Sequence, residues 1–190
     1  MQIHEAPPRE NRKQRFLDIA PALAEQVKLD QLTPAAICAA AKLAEPEFIE
    51  EFRTIEAYVA EAHRKFLDRL LGRMVHESND LPPGIERILR SSFAQLNGCL
   101  EQRALRGWFA EARRRFPRVA EEIHQRNRGT SMMISIELTA LGCRRPMIIA
   151  RLYCVMMLEA AQMEADAGGP VPELRQALRD FLAMWIPARS

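Results

Sequence analysis

Four carboxylates fall within seven residues of this chain, Glu45, Glu47, Glu50 and Glu51, in the stretch AEPEFIEEF. A cluster of cations, Arg9, Arg12, Lys13 and Arg15, stands upstream of them. Cations of this kind can neutralise phosphates, and each phosphate contact makes log K fall by about 0.9 per decade of salt through counterion release. A carboxylate opposes phosphate but can accept a hydrogen bond from the amino group of cytosine. The remaining polar residues point to little other chemistry. His4, His63, His76 and His124 are scattered, with no pair four apart on a helix and no His-Glu-x-x-His. Cys38, Cys99, Cys143 and Cys154 form neither a C-x-x-C pair nor a cysteine-histidine spacing suited to zinc, so they read as buried thiols of a reducing compartment. Glycine-rich phosphate loops, nucleophile elbows and Ser-His-Asp sets are absent from the sequence. Glu121 and Glu122 are adjacent and point to different faces of a helix, which argues against a shared acid-base site. The expectation is a protein that is not an enzyme and takes no cofactor or metal.

The elements that position these residues read as helices throughout. Of 190 residues 48% are apolar and only 6% aromatic, and Ala, Leu, Arg and Glu are abundant while β-branched runs are missing, so the fold class is all-α. The opening MQIHEAPPRENRKQR lacks an apolar signal core, and the longest apolar runs, AAICAAA and LYCVMML, are too short to cross a bilayer, so a cytoplasmic location is expected. Charge is uneven: residues 1–60 carry a net of −3 and residues 61–190 a net of +5.

Phe16, Ile19, Ala20, Leu23 and Val27 recur at intervals of three and four, which predicts one amphipathic helix from Arg9 to Lys28. Thr33 can cap a short second helix with Pro34 at its first position, ending near Ala41. Pro46 opens a third through Phe52, with Phe48 and Phe52 on one side and Leu43 in the bend, so Ala35–Phe52 has the outline of a helix-turn-helix. Thr54 caps a long fourth helix with Ile55, Val59, Ala62, Phe66, Leu70 and Met74 inward. SNDLPPG breaks the chain, and a fifth helix is expected over Ile85 to Asn97, a sixth from Gly98 to the stop at Pro117, and a seventh from Pro117 toward Leu141. An eighth, Met147 to about Ala165, is apolar nearly all round, and a last one carries Leu174, Ala177, Leu178, Phe181, Leu182 and Trp185 as a stripe. The division expected is 1–53 and 54–190.

Two stretches resemble the tetracycline-repressor (TetR) family of bacterial transcription regulators. In the first, Thr33, Ile37, Ala40, Ala41, Leu43 and Phe52 match the family's helix-turn-helix pattern; in the second, GWFAEARRRFPRVAEEI is similar to its aromatic helix, Phe-Pro break and following helix. The resemblance implies about nine helices, a dimer whose N-terminal head reads operator DNA, and a C-terminal domain that binds a small apolar or amphipathic effector. The family's DNA-contacting positions fall here on Ala44, Pro46, Ile49, Glu50 and Ile55. Lys42 replaces the turn glycine, where a left-handed conformation costs about 1 kcal/mol and the side chain can reach a phosphate. With Arg12, Lys13, Arg15, Thr33 and Glu47 these residues make up the DNA-binding set. The effector set is Phe66, Leu70, Phe93, Leu96, Trp108, Phe109, Met132, Met133, Ile136 and Met156, its methionines suiting an irregular apolar ligand. Arg113 to Arg115 read either as a site for an anionic effector or as a solvated face. The dimer is expected to form through Tyr153, Met157, Ala161, Leu178, Phe181, Leu182 and Trp185. The alternative is a TetR-like fold whose head no longer reads DNA and which serves as a ligand-binding or protein-interaction module, its acidic head docked on a basic partner.

Overall fold

The structure is a computed structural model that describes residues 9–187. Every regular element among them is helical: α1 (Arg9–Asp18), α2 (Ala20–Ala24), a 3-10 turn (Leu29–Gln31), α3 (Pro34–Ala41), α4 (Glu45–Glu51), α5 (Ile55–Ser78), α6 (Ile85–Glu101), α7 (Arg103–Arg115), α8 (Pro117–Ala140), α9 (Pro146–Ala167) and α10 (Pro172–Ala183). With α1 and α2 taken as one interrupted first helix, the expected all-α, nine-helix architecture is present.

Two boundaries differ from the expected ones. The first helix is interrupted at Ile19 and ends at Ala24 rather than Lys28, because Pro21 has no N–H to donate and its ring opposes the carbonyl of Leu17. The break expected at Gly98 falls at Gln102 instead, and Gly98 is buried inside α6. A Cβ there would lie 2.4 Å from Leu70 Cδ2, so this glycine permits close packing and does not stop the helix.

The chain forms two compact units, and neither boundary falls at residue 53. One holds the described residues up to Phe66 together with Ala104–Glu121; the other holds Leu67–Arg103 and the residues from Glu122 onward. The division expected at 53/54 would separate α4 from α5, but the first turn of α5 is welded to the head by aromatics. Phe16 meets Phe48 and Phe52 edge-on at 5.8 Å, and Tyr58 meets Phe52 at 5.3 Å. Tyr58 is fully buried and its hydroxyl donates to the Phe16 carbonyl at 3.0 Å; burial pushes its phenol pKa up. Trp108, from α7, donates its indole N–H to the Val27 carbonyl at 2.8 Å within the same unit.

In the second unit α6, α9 and α10 pack on one another around Leu89, Leu96, Ile149, Tyr153, Leu178 and Leu182. Tyr153 donates to Ser92 Oγ at 3.0 Å and stacks on Phe181. Glu164, 1% exposed, takes two hydrogen bonds from Arg175 at 2.7 and 2.9 Å and one from the Val171 N–H at 3.1 Å, which ties down the α9–α10 loop. α9 is long and apolar enough to cross a membrane by length and composition, contrary to the expectation drawn from uninterrupted apolar runs. Its packing on α6 and α10, with an ion pair in the contact, is that of a core helix.

Candidate functional site

The helix-turn-helix is built from local capping chemistry. The Thr33 hydroxyl accepts from Ala36 N–H at 3.2 Å and starts α3. Lys42 ends it in the left-handed region, φ 53° and ψ 48°, as its place in the turn required, with Leu43 N–H returning to the Cys38 carbonyl at 3.1 Å. Beyond Pro46 the chain turns again at Arg53, φ 63°, and Thr54 caps α5 by accepting from Ala57 N–H at 3.1 Å. Both ends of α4 are therefore marked by a cation in a conformation that favours glycine.

The four glutamates do not form one acidic face. Glu47 folds back and accepts from the Ala44 N–H at 2.7 Å, capping its own helix. Its other oxygen lies 3.4 Å from Arg12 Nη1, as does Glu50 Oε2. Glu51 turns Oε1 inward, where no donor among the described residues meets it. The outward face of α4 consists of Ala44, Glu45, Pro46, Ile49, Glu50 and Arg53, with Lys42 beside it; Ile49 is 53% exposed. Neither Lys42 nor Arg53 makes an ion pair among the described residues, and both are exposed. Cys38 sits behind α4; its thiol is pushed up first by burial and then by Glu45 and Glu47, which keeps it protonated.

The cations expected from the first helix are spent inside the head. Arg12 is mostly buried between Glu47 and Glu50, Lys13 pairs with Glu61 at 3.2 Å, and Arg15 donates to the Ala41 carbonyl at 3.0 Å and to that of Lys42 at 3.4 Å. Arg15 thus caps the negative end of α3. Arg53, which the sequence reading passed over, is exposed instead; its position one residue beyond the helix end was the only available signal. The side chain of Arg9 and all of His4 lie outside the described residues. Of the other histidines, His63 is buried against Phe109 at 4.9 Å and the remaining two are exposed.

The expected effector residues do not converge. Phe66, Trp108 and Phe109 are core residues of the first unit, and Phe66 packs on Phe109 at 5.4 Å. In the second unit Leu70 and Leu96 are buried, Met156 is half-buried, and Met132, Met133 and Ile136 are more than half exposed, because they fall on the side of α8 opposite its buried Ser131, Ser135 and Leu138. Only Phe93 borders an open cleft, of about 370 Å³, with Pro170, Pro172, Arg175, Gln176 and Arg179. Arg175 lies 5.4 Å over the Phe93 ring and Arg179 pairs with Glu86. Arg113, Arg114 and Arg115 are exposed.

The expected interface residues are corrected in the same way. Tyr153, Met157, Ala161, Leu178 and Leu182 are buried within the chain and Phe181 is half-buried, because these faces of α9 and α10 pack on α6; Trp185 alone of the set is exposed. The opposite face of α9 carries Ile148, Leu152, Val155, Leu158 and Met163 to the surface.

No protein-family model and no curated protein matches the chain. Solved structures match it over nearly its whole length. A transcriptional regulator from Rhodococcus sp. Rha1 is 19% identical, with 91% of this chain and 95% of that one covered and a TM-score of 0.75. A TetR-like transcriptional regulator from Rhodococcus sp. RHA1 is 17% identical, with 94% and 97% covered and a TM-score of 0.72. A protein assigned as a transcriptional regulator from Saccharomonospora viridis, in complex with choline, is 17% identical, with 95% and 100% covered and a TM-score of 0.78. The chain has the fold of the TetR-like transcriptional regulators.

Proposed function

We propose that this protein is a TetR-like transcriptional regulator that binds DNA through α3, the Lys42 turn and α4, acts as a homodimer, and responds to a small effector. The observation that carries the reading is the charge on the outward side of α4. Two of its four carboxylates are turned inward, Glu50 is partly neutralised by Arg12, and Lys42 and Arg53 bracket the helix as uncommitted cations. Phosphate contacts at the two ends of a reading helix fix its register, and the exposed Ala44, Ile49 and Glu50 then face the bases.

An effector of apolar or amphipathic character is supported by the cleft at Phe93 and by the choline held in the S. viridis protein. The guanidinium groups of Arg175 and Arg179 beside that cleft disfavour choline itself as the ligand here. The competing reading, a head that serves protein contact, draws on one observation: α4 carries no cation within its own span, and Arg12 is consumed by it.

The deciding experiment is binding of purified protein to the DNA flanking its own coding region, at low and moderate salt, against unrelated DNA. Sequence-specific binding whose affinity falls with salt is the expected result. No binding at low salt would overturn the DNA reading and leave the protein-contact reading.

A further inference from the structure

The exposed face of α9 has an internal symmetry in its sequence. Val155, 64% exposed, lies at its centre. Three residues before and after it stand Leu152 and Leu158, four before and after Arg151 and Glu159, and eight before and after Met147 and Met163. All seven are exposed, and offsets of three, four and eight share one side of a helix. Arg151 and Glu159 make no ion pair among the described residues.

An isologous contact requires a surface complementary to itself, residue i meeting j while j meets i. When two copies of α9 run antiparallel about a two-fold axis, the residue n positions before the axis meets the residue n positions after it. On this helix that operation sets leucine against leucine, methionine against methionine, and Arg151 against Glu159 twice. Only Ile148, which meets Gln162, lacks a like partner. A membrane or an unrelated protein would call for no such symmetry. A bilayer would also leave both charges in hydrocarbon.

We propose that a second copy of this chain packs antiparallel on the exposed face of α9 about a two-fold axis at Val155. This rests on the homodimer of the reading above and adds its register. α8 widens the face: Ser131 Oγ lies 3.3 Å from Cys154 Sγ, so Met132 on α8 and Val155 on α9 are each one residue beyond the same contact, with Met133 and Ile136 nearby. Eight large apolar side chains, 38% to 65% exposed, contribute substantially to the roughly 800 Å² that each partner of a stable interface buries.

The test is sedimentation equilibrium of the full chain as wild type, Arg151→Glu, and the double variant Arg151→Glu with Glu159→Arg, with air oxidation of Val155→Cys alongside. The wild type should be dimeric. Arg151→Glu should weaken the dimer roughly tenfold to a hundredfold by setting like charges together twice; the double variant should restore it, and Val155→Cys should form a disulfide-linked dimer. Restoration also shows that the single variant folds. A dimer indifferent to the charge reversal and not cross-linked at position 155 would overturn the register while leaving the homodimer intact. A wild type monomeric at tens of micromolar would overturn both, and its sedimentation with anionic phospholipid vesicles would identify a membrane as the occupant of the face.

Discussion

Replacing Lys42 by glycine should strengthen the fold and weaken DNA binding at once, and the two magnitudes follow from the same backbone. At φ 53° and ψ 48° the Lys42 Cβ crowds the following carbonyl oxygen, which costs about 1–2 kcal/mol. Glycine removes that crowding, and the extra conformational freedom it brings to the unfolded chain offsets about 0.5–1 kcal/mol. The net is about 0.5–1 kcal/mol in favour of Lys42→Gly, or roughly 1–4 °C in Tm for a chain of this size. The lost cation acts in the other direction on DNA. One phosphate contact fewer per protomer lowers the salt slope by about 0.9, and affinity falls several-fold at moderate salt. Differential scanning calorimetry and fluorescence anisotropy at several salt concentrations measure the two effects on one preparation. Arg53→Gly, at φ 63°, should behave alike. A rise in Tm with unchanged salt slope would refute the phosphate contact, and a fall in Tm would refute the strain argument.

Gly98→Ala should destabilise by about 1–3 kcal/mol, because its Cβ would stand 2.4 Å from Leu70 Cδ2 in a buried contact; chemical denaturation checks this, and shortening Leu70 to Ala in the same chain should make the two changes less than additive. Glu164 is raised by burial, but the hydrogen bonds from Arg175 and Val171 outweigh this and hold its carboxyl below the usual range. A carboxyl depressed in the folded state stabilises above its ordinary pKa, about 4.3, and that stabilisation is lost as pH falls through the folded value. Glu164→Gln should therefore cost about 3 kcal/mol at pH 7 by stranding the mostly buried Arg175. It should also flatten the acid limb of the stability-pH curve, and an unchanged acid limb would mean another carboxyl controls it.

Capping residues and periodicity made the head legible in the sequence. Thr33, Pro34, Pro46 and Thr54 marked its helix ends because capping is a matter of a few neighbouring residues, and the left-handed Lys42 followed from its place in the turn. Pro21 also acts locally, and the apolar stripe running past it hid the interruption it makes. Tertiary structure alone decided which way each charge points. Glu47 and Glu51 turn inward, and Arg12, Lys13 and Arg15 are taken up within the head, because partners far along the chain compete with solvent for them. That left Lys42 and Arg53 as the outward cations of α4. The same limit applies at the C-terminal end. Composition showed that the helix after Pro146 must be covered on more than one side, since it is apolar nearly all round. Only packing against α6 and α10 settled which of its apolar residues are core, because one helix face is distinguished from another by what lies against it.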